Sequence, residues 1–368
     1  MAPTAALTAP VRTAVAGATA SAPAGVTKPA PTAVPTSATA NAAASVTPGS
    51  AGVRIGYVLG ATSNSSVLTA MTAAPGFGMP VQTATGDPTQ RLNALANLGL
   101  QVIVADGADL ADAARAAAVA FPKIYFINLI PLGQSGQAGQ GDTPGAGLPN
   151  LLILGAGLTR EDQLGFMDGV VAGYATQAKV VTGVGYATDA TGLKYRNGFL
   201  HGVRLSCSRC RVDFVDLSDL SDGPGAAAKA KLNASLSSDV VFAAAGAASA
   251  PALQAAAAAG ALVAGVDADI YTTMFGGGAT QGADKVLASA YFDPGAAVVA
   301  ALKAYQAGKA WTGPMPYSAA TGALVLAPYH VSTDVLSDLD RSDTLSALAQ
   351  LADGSLDTGI DLATGNEL

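Results

Sequence analysis

The strongest constraint on this chain is a repeated alternation of short apolar runs with alanine-rich stretches of helical spacing. Val53-Arg-Ile-Gly-Tyr-Val-Leu59, residues 100–105, residues 124–130 and Leu151-Leu-Ile-Leu154 read as buried strands. Residues 89–98, with Leu92, Leu95 and Leu98 on one face, and residues 108–120 read as helices between them. The rhythm continues with helices over 160–177, 193–205, 226–236 and 250–259. The strands of that half are 180–186, 212–217, 240–244, 262–266 and 286–292, the last followed by an alanine-rich helix. Thr159 is the expected N-cap of the 160–177 helix. Such β-α-β-α order implies parallel sheets covered by helices on both faces. The strands are too many for one compact sheet, so two lobes are expected. No period of 20–50 residues points to a solenoid.

Residues 1–50 differ in kind. They are mainly Ala, Thr, Ser, Pro and Val with only Arg12 and Lys28 charged, and prolines 23, 29, 31, 35 and 48 interrupt any helix. Without aromatics the segment cannot bury a core, and a disordered stalk or tether is expected, with folded structure from about Val53. The first 20 residues match a secretory signal poorly, and no cysteine near the start could carry a lipid. No apolar run approaches the roughly 20 residues that span a bilayer.

The chemistry available is narrow. Charged residues make up 12% of the chain and the net charge is −7, which argues against a nucleic-acid partner. Good dinucleotide fingerprints, a phosphate loop and a Gly-x-Ser-x-Gly nucleophile elbow are all missing. With two histidines and no catalytic pair in view, no enzyme, metal site or cofactor is expected. Cys207-Ser-Arg-Cys210 could be a short-loop disulfide, a pair of free thiols or a redox site. The disulfide, formed in an oxidising compartment, is the favoured reading. A redox pair opens a helix after a strand, and here the pair follows a helix and precedes the strand Arg211-Val-Asp-Phe-Val215.

One segment draws attention for binding. Ala261-Leu-Val-Ala-Gly-Val-Asp-Ala-Asp269 is an apolar run ending in two carboxylates. In open α/β sheets ligands sit beyond the carboxyl ends of strands, where Asp267 and Asp269 stand. The alternative is that they cap the next turn. Asp106, at the end of the 100–105 strand in Asp106-Gly-Ala-Asp109, invites the same two readings: a ligand contact, or an N-cap.

From about Val53 onward the chain resembles the basic membrane protein family, substrate-binding proteins of ABC importers that include purine nucleoside receptors. The likeness is carried by Gln163-Leu-Gly-Phe-Met-Asp-Gly-Val-Val-Ala-Gly173 with Lys179-Val-Val-Thr-Gly-Val-Gly185, and by Lys194-Tyr-Arg-Asn-Gly-Phe-Leu-His-Gly-Val203. Val240-Val-Phe-Ala-Ala-Ala-Gly246, Gly265-Val-Asp-Ala-Asp269, Val286-Leu-Ala-Ser289 and Gly322-Ala-Leu-Val-Leu-Ala-Pro-Tyr-His330 continue it in order.

The resemblance implies the type I periplasmic binding protein fold: two Rossmann-like lobes with parallel sheets, joined by a three-crossover hinge. The crossings would fall near Gly155–Thr159, Ser289 and Gly322. Lobe one would be 53–157 plus 290–321, and lobe two 158–289 plus 322–368. The implied function is extracytoplasmic capture of a small polar ligand, nucleoside-like, for an ABC permease, with no chemistry performed.

The implied contacts are Asp267 to ribose, Tyr195 at the family's aromatic position, and Gly246 where backbone would approach the ligand. Tyr195 could equally be a core residue, and Gly246 an ordinary strand-end turn. The family's lobe-one motif, Asp then Ser-Phe-Asn, aligns with Thr62-Ser-Asn-Ser-Ser-Val67, where Asn64 could supply the amide. The family's lysine aligns with Phe292, which could stack a base or fill a closed cleft. These departures favour a second reading: a cell-envelope structural or interaction protein with a degenerate cleft, meeting other envelope components.

Overall fold

The computed structural model describes residues 52–63, 65–77, 80–83, 86–132, 147–330 and 334–368. The 1–50 segment and Asn64 lie outside the described residues. The first elements are β1 (Ile55–Leu59), α1 (Ser65–Ala73), β2 (Val81–Thr83), α2 (Pro88–Ala96), β3 (Val102–Asp106), α3 (Ala111–Ala120), β4 (Tyr125–Leu129) and β5 (Leu151–Leu154). Then come α4 (Glu161–Ala175), β6 (Val180–Gly185), α5 (Ala190–Ser206), β7 (Arg211–Asp216), α6 (Gly223–Leu236), β8 (Val240–Ala244), α7 (Ser249–Ala258), β9 (Leu262–Val266) and the single turn α8 (Ile270–Thr273). The last are β10 (Val286–Phe292), α9 (Pro294–Gln306), β11 (Gly313–Met315), β12 (Leu324–Leu326) and α10 (Asp338–Asp353).

The strands form two six-stranded sheets, ordered β11-β5-β4-β3-β1-β2 and β12-β10-β9-β8-β6-β7. Strand pairs are parallel except β10 with β12, which is antiparallel. The chain passes between the sheets three times: after β5, after β10 and after β11. Every residue of β3, β4 and β5 is buried, which is what apolar strands covered on both faces require.

The period of two sorts the cores. In β8, Val240 and Phe242 join the cluster under α4 and α5, while Val241 and Ala243 join the one under α6 and α7. In the first sheet, Ile103 and Phe126 pack with α2 and α3, and Val104 and Ile127 pack with α1 and α9. Phe199 of α5 stacks on Phe242 with ring centroids 4.3 Å apart, tying that helix to its sheet.

Helix starts reuse one local device. Asp87 and Asp293 each precede a proline at the first helical position and accept a backbone N–H from Gln90 and Gly295. Thr159 does not cap α4 as the sequence suggests. Arg160 holds the cap position without a side-chain bond, and Thr159 instead accepts from the buried Lys194, whose ammonium needs those oxygens.

Helices α4 and α5 meet through glycine. Gly165, Gly169 and Gly173 recur every fourth residue on α4, facing Gly198 and Gly202 on α5. A Cβ at Gly169 would collide with the Phe199 carbonyl, and one at Gly202 with the Phe166 carbonyl. Backbone therefore lies on backbone, with no side-chain layer between. Cys207 and Cys210, just past α5, are joined in a disulfide with Cα atoms 5.4 Å apart.

The C-terminal segment lies over α4 and α5. Thr358 Oγ1 donates to Asp162 at 2.5 Å, Asn197 Nδ2 donates to the Gly365 carbonyl at 2.7 Å, and Glu367 pairs with His201 and Arg204.

Candidate ligand-binding site

A cavity of about 300 Å³ opens where the connecting segments between the sheets converge. That volume is at the small end of what ligand pockets occupy. Leu132, Gly155 and Tyr317 wall it on the side of the first sheet. Thr159, Arg160, Glu161, Tyr195 and Asp267 wall it on the side of the second, with Phe292 and Pro316 between them.

Asp267 follows β9 directly and, among the described residues, is one of three non-glycine residues with left-handed φ, here 72°. Its amide donates to the Ala290 carbonyl, which holds the bend. Residues kept in that region cost about 1–3 kcal/mol and cluster where geometry serves function. Asp267 Oδ1 accepts the Tyr195 hydroxyl at 2.6 Å. The carboxyl opens on the cavity and keeps access to solvent, while the surrounding protein partly desolvates it. That burial raises its pKa above the ordinary carboxylate range; the Tyr195 hydrogen bond opposes the rise and the Glu161 charge adds to it. Tyr195 is raised in turn, first by burial and then by Asp267.

The remaining charges on the wall are paired. Arg160 donates from Nε and Nη2 to the two oxygens of buried Asp162, at 3.0 and 2.9 Å. Lys194 Nζ lies 2.6 Å from Glu161 Oε2 and donates to Thr159 Oγ1 at 2.7 Å. Tyr317 is buried and its hydroxyl donates to the Ile130 carbonyl at 2.9 Å, leaving its ring to face the cavity. Phe292 packs against the cores of both sheets.

Behind Asp267 lies an acid that the sequence reading did not single out. Asp168 of α4 is fully buried, and among the described residues no side chain partners either of its oxygens; only the Ala290 backbone approaches them. Burial raises its carboxyl well above the ordinary range; the Ala290 backbone opposes this and the Asp267 charge adds to it. It lies in the middle of an apolar helical run, and its sequence neighbours give no hint that its oxygens lack a side-chain partner.

Of the residues picked from sequence, Asp267, Tyr195 and Phe292 come together on the cavity wall. Asp269 does not. It caps α8, accepting from the Tyr271 amide and from Thr272, and pairs with His330 Nε2 at 3.0 Å. Gly246, with φ 52°, starts a helical turn after β8 away from this cavity. Asp106 is buried at the end of β3 and accepts the Tyr57 hydroxyl at 2.6 Å, so it neither caps α3 nor reaches the wall. Arg160, Glu161 and Tyr317 were missed. A usable signal existed for the first two: three consecutive charged residues, 160–162, open a helix just past a strand end in a chain with few charges.

Two α/β lobes, three chain crossings and a cavity where the crossings meet are the architecture of two-lobed solute-binding proteins. The sequence matches the PnrA-like ABC transporter substrate-binding proteins, the Bmp family, over residues 63–324. The chain belongs to that family. Proteins of this class bind substrate for ABC transporters and are not enzymes; they work with a permease and outside the cytoplasm. Among the described residues no helix is long and apolar enough to cross a membrane.

The structure is similar to an ABC transporter solute-binding protein from Conexibacter woesei, with TM-score 0.52 and 18% identity over 83% of this chain and 98% of that one. It is also similar to a transcriptional activator of the comK gene from Bacillus halodurans, with TM-score 0.53 and 16% identity over 82% and 99% of the two chains. At these identities the likeness speaks to fold alone. A search of curated protein sequences finds no match.

Proposed function

We propose that this protein captures a nucleoside-like ligand in the cavity between its lobes and presents it to an ABC permease at the outer face of the membrane. The observation that carries this reading is the Asp267–Tyr195 pair on the wall of a cavity enclosed by both lobes. A flat base would lie against the aromatic rings, and hydroxyls would donate to Asp267. The lobe division that goes with this is 53–157 plus 290–321 against 158–289 plus 322–368. Closure about the crossing segments would report occupancy to the permease.

Calorimetric titration against a panel of purine and pyrimidine nucleosides tests the proposal. Binding is expected, with loss of at least about 100-fold in Asp267→Ala, the scale of a buried charge-assisted contact. No response to any nucleoside, or full affinity in Asp267→Ala, overturns it. One observation favours a second reading. Phe292 packs into the cores of both lobes, which suits a permanently closed cell-envelope interaction protein. Lobes that stay closed in every condition, with no small-molecule binding, would select that alternative.

A further inference from the structure

We infer that the cavity takes an organic cation, whose protonated or quaternary nitrogen sits beside Asp267 and against the rings of Tyr195, Phe292 and Tyr317. The inference rests on the binding-protein reading above and narrows its ligand.

The argument is one of charge balance. Arg160 is held by both oxygens of Asp162, and Glu161 by Lys194, so these two pairs cancel. Asp267 has no basic partner among the described residues; its side chain meets only the neutral Tyr195 hydroxyl. Asp168, behind it, is pushed toward its protonated form by burial. The wall thus carries one uncompensated carboxylate. Its one guanidinium has two of its three nitrogens committed to Asp162, so it is poorly placed to grip an anion.

The aromatic residues complete the case. Phe292 ends β10, the neighbour of β9, whose end carries Asp267, and both residues face the cavity. A basic side chain there would neutralise Asp267; phenylalanine cannot. Three aromatic rings around a lone carboxylate offer a cation both a counter-charge and quadrupole faces. A neutral hydroxylated ligand would find an acceptor but, by displacing water from Asp267, would leave its charge unbalanced.

The test is titration calorimetry of the full chain with 1-methyladenosine, whose ring is positively charged at neutral pH, with neutral adenosine, and with choline. We expect 1-methyladenosine to bind at least about tenfold more tightly than adenosine, and choline to bind measurably. Asp267→Asn, which keeps shape and removes charge, should abolish the preference. Phe292→Lys is the second variant: an ammonium beside Asp267 should abolish the preference for 1-methyladenosine over adenosine. Adenosine binding as tightly as 1-methyladenosine, a preference that survives Asp267→Asn, or no heat from either cation overturns the inference. If adenosine binds and the cations do not, the binding-protein reading stands and this inference alone falls.

Discussion

Removing the buried carboxyl of Asp168 should stabilise the protein, and more so as pH rises. Leaving buried polar atoms without partners costs about 1–3 kcal/mol, and the Asp168 oxygens have no side-chain partner and only a poorly aligned approach from the Ala290 backbone. Asp168→Ala removes that cost and leaves a void. At about 24 cal/mol per Å³, a carboxyl-sized void of roughly 40 Å³ costs about 1 kcal/mol. The net gain is therefore about 0–2 kcal/mol where the wild-type group is protonated. Burial raises the folded carboxyl above its ordinary value of 3.8, so the folded state holds the proton more tightly than the unfolded chain. The wild-type contribution is fully present below that ordinary value and is lost as pH climbs toward the raised one. Urea unfolding followed by far-UV circular dichroism at pH 5 and pH 8 measures the difference. A variant less stable by more than about 1 kcal/mol at both pH values would show that the Ala290 backbone satisfies Asp168 and that the carboxyl stabilises the fold. A difference that does not grow with pH would refute the titration argument.

Two further outcomes follow from the geometry. Gly169→Ala gains about 1 kcal/mol of helix propensity but forces a methyl against the Phe199 carbonyl, and overpacking costs about 1–3 kcal/mol. The clash should win, lowering stability in denaturant titration; a more stable variant would mean the helices can part freely. Tyr195→Phe removes the hydrogen bond that opposes the rise in Asp267. Asp267 should then titrate at higher pH than in the wild type, as followed by carboxyl NMR, and an unchanged or lower titration point would contradict its assignment.

The architecture was legible because its signal is long-range and redundant. Fully buried runs such as Val102–Asp106 and Leu151–Leu154 cannot be hidden in a parallel sheet. What escaped was short or locally ambiguous. β2, β11 and β12 are three residues each, too few to show a period. α1 buries Val67 and Met71 four apart, but its serines and threonines weaken the helical signal. α10 announced itself through the capping box of Ser337 and Asp340 and went unread. The site was half visible. Strand-end position found Asp267, but the same rule offered Asp269 and Asp106. Only tertiary neighbours reveal that one serves a helix cap and His330, while the other serves a tyrosine inside its own lobe.

The glycine seam reaches beyond packing. α4 opens with Glu161 on the cavity wall, and α5 carries Tyr195 on the same wall. Because the two backbones touch, no layer of side chains exists that could shear when the lobes part. Glu161, Tyr195 and the Asp267 that Tyr195 holds then travel together as one rigid jaw. If the ligand is held here as proposed, its release would leave a grip that keeps its spacing, and the widening would come from the side of Leu132 and Tyr317.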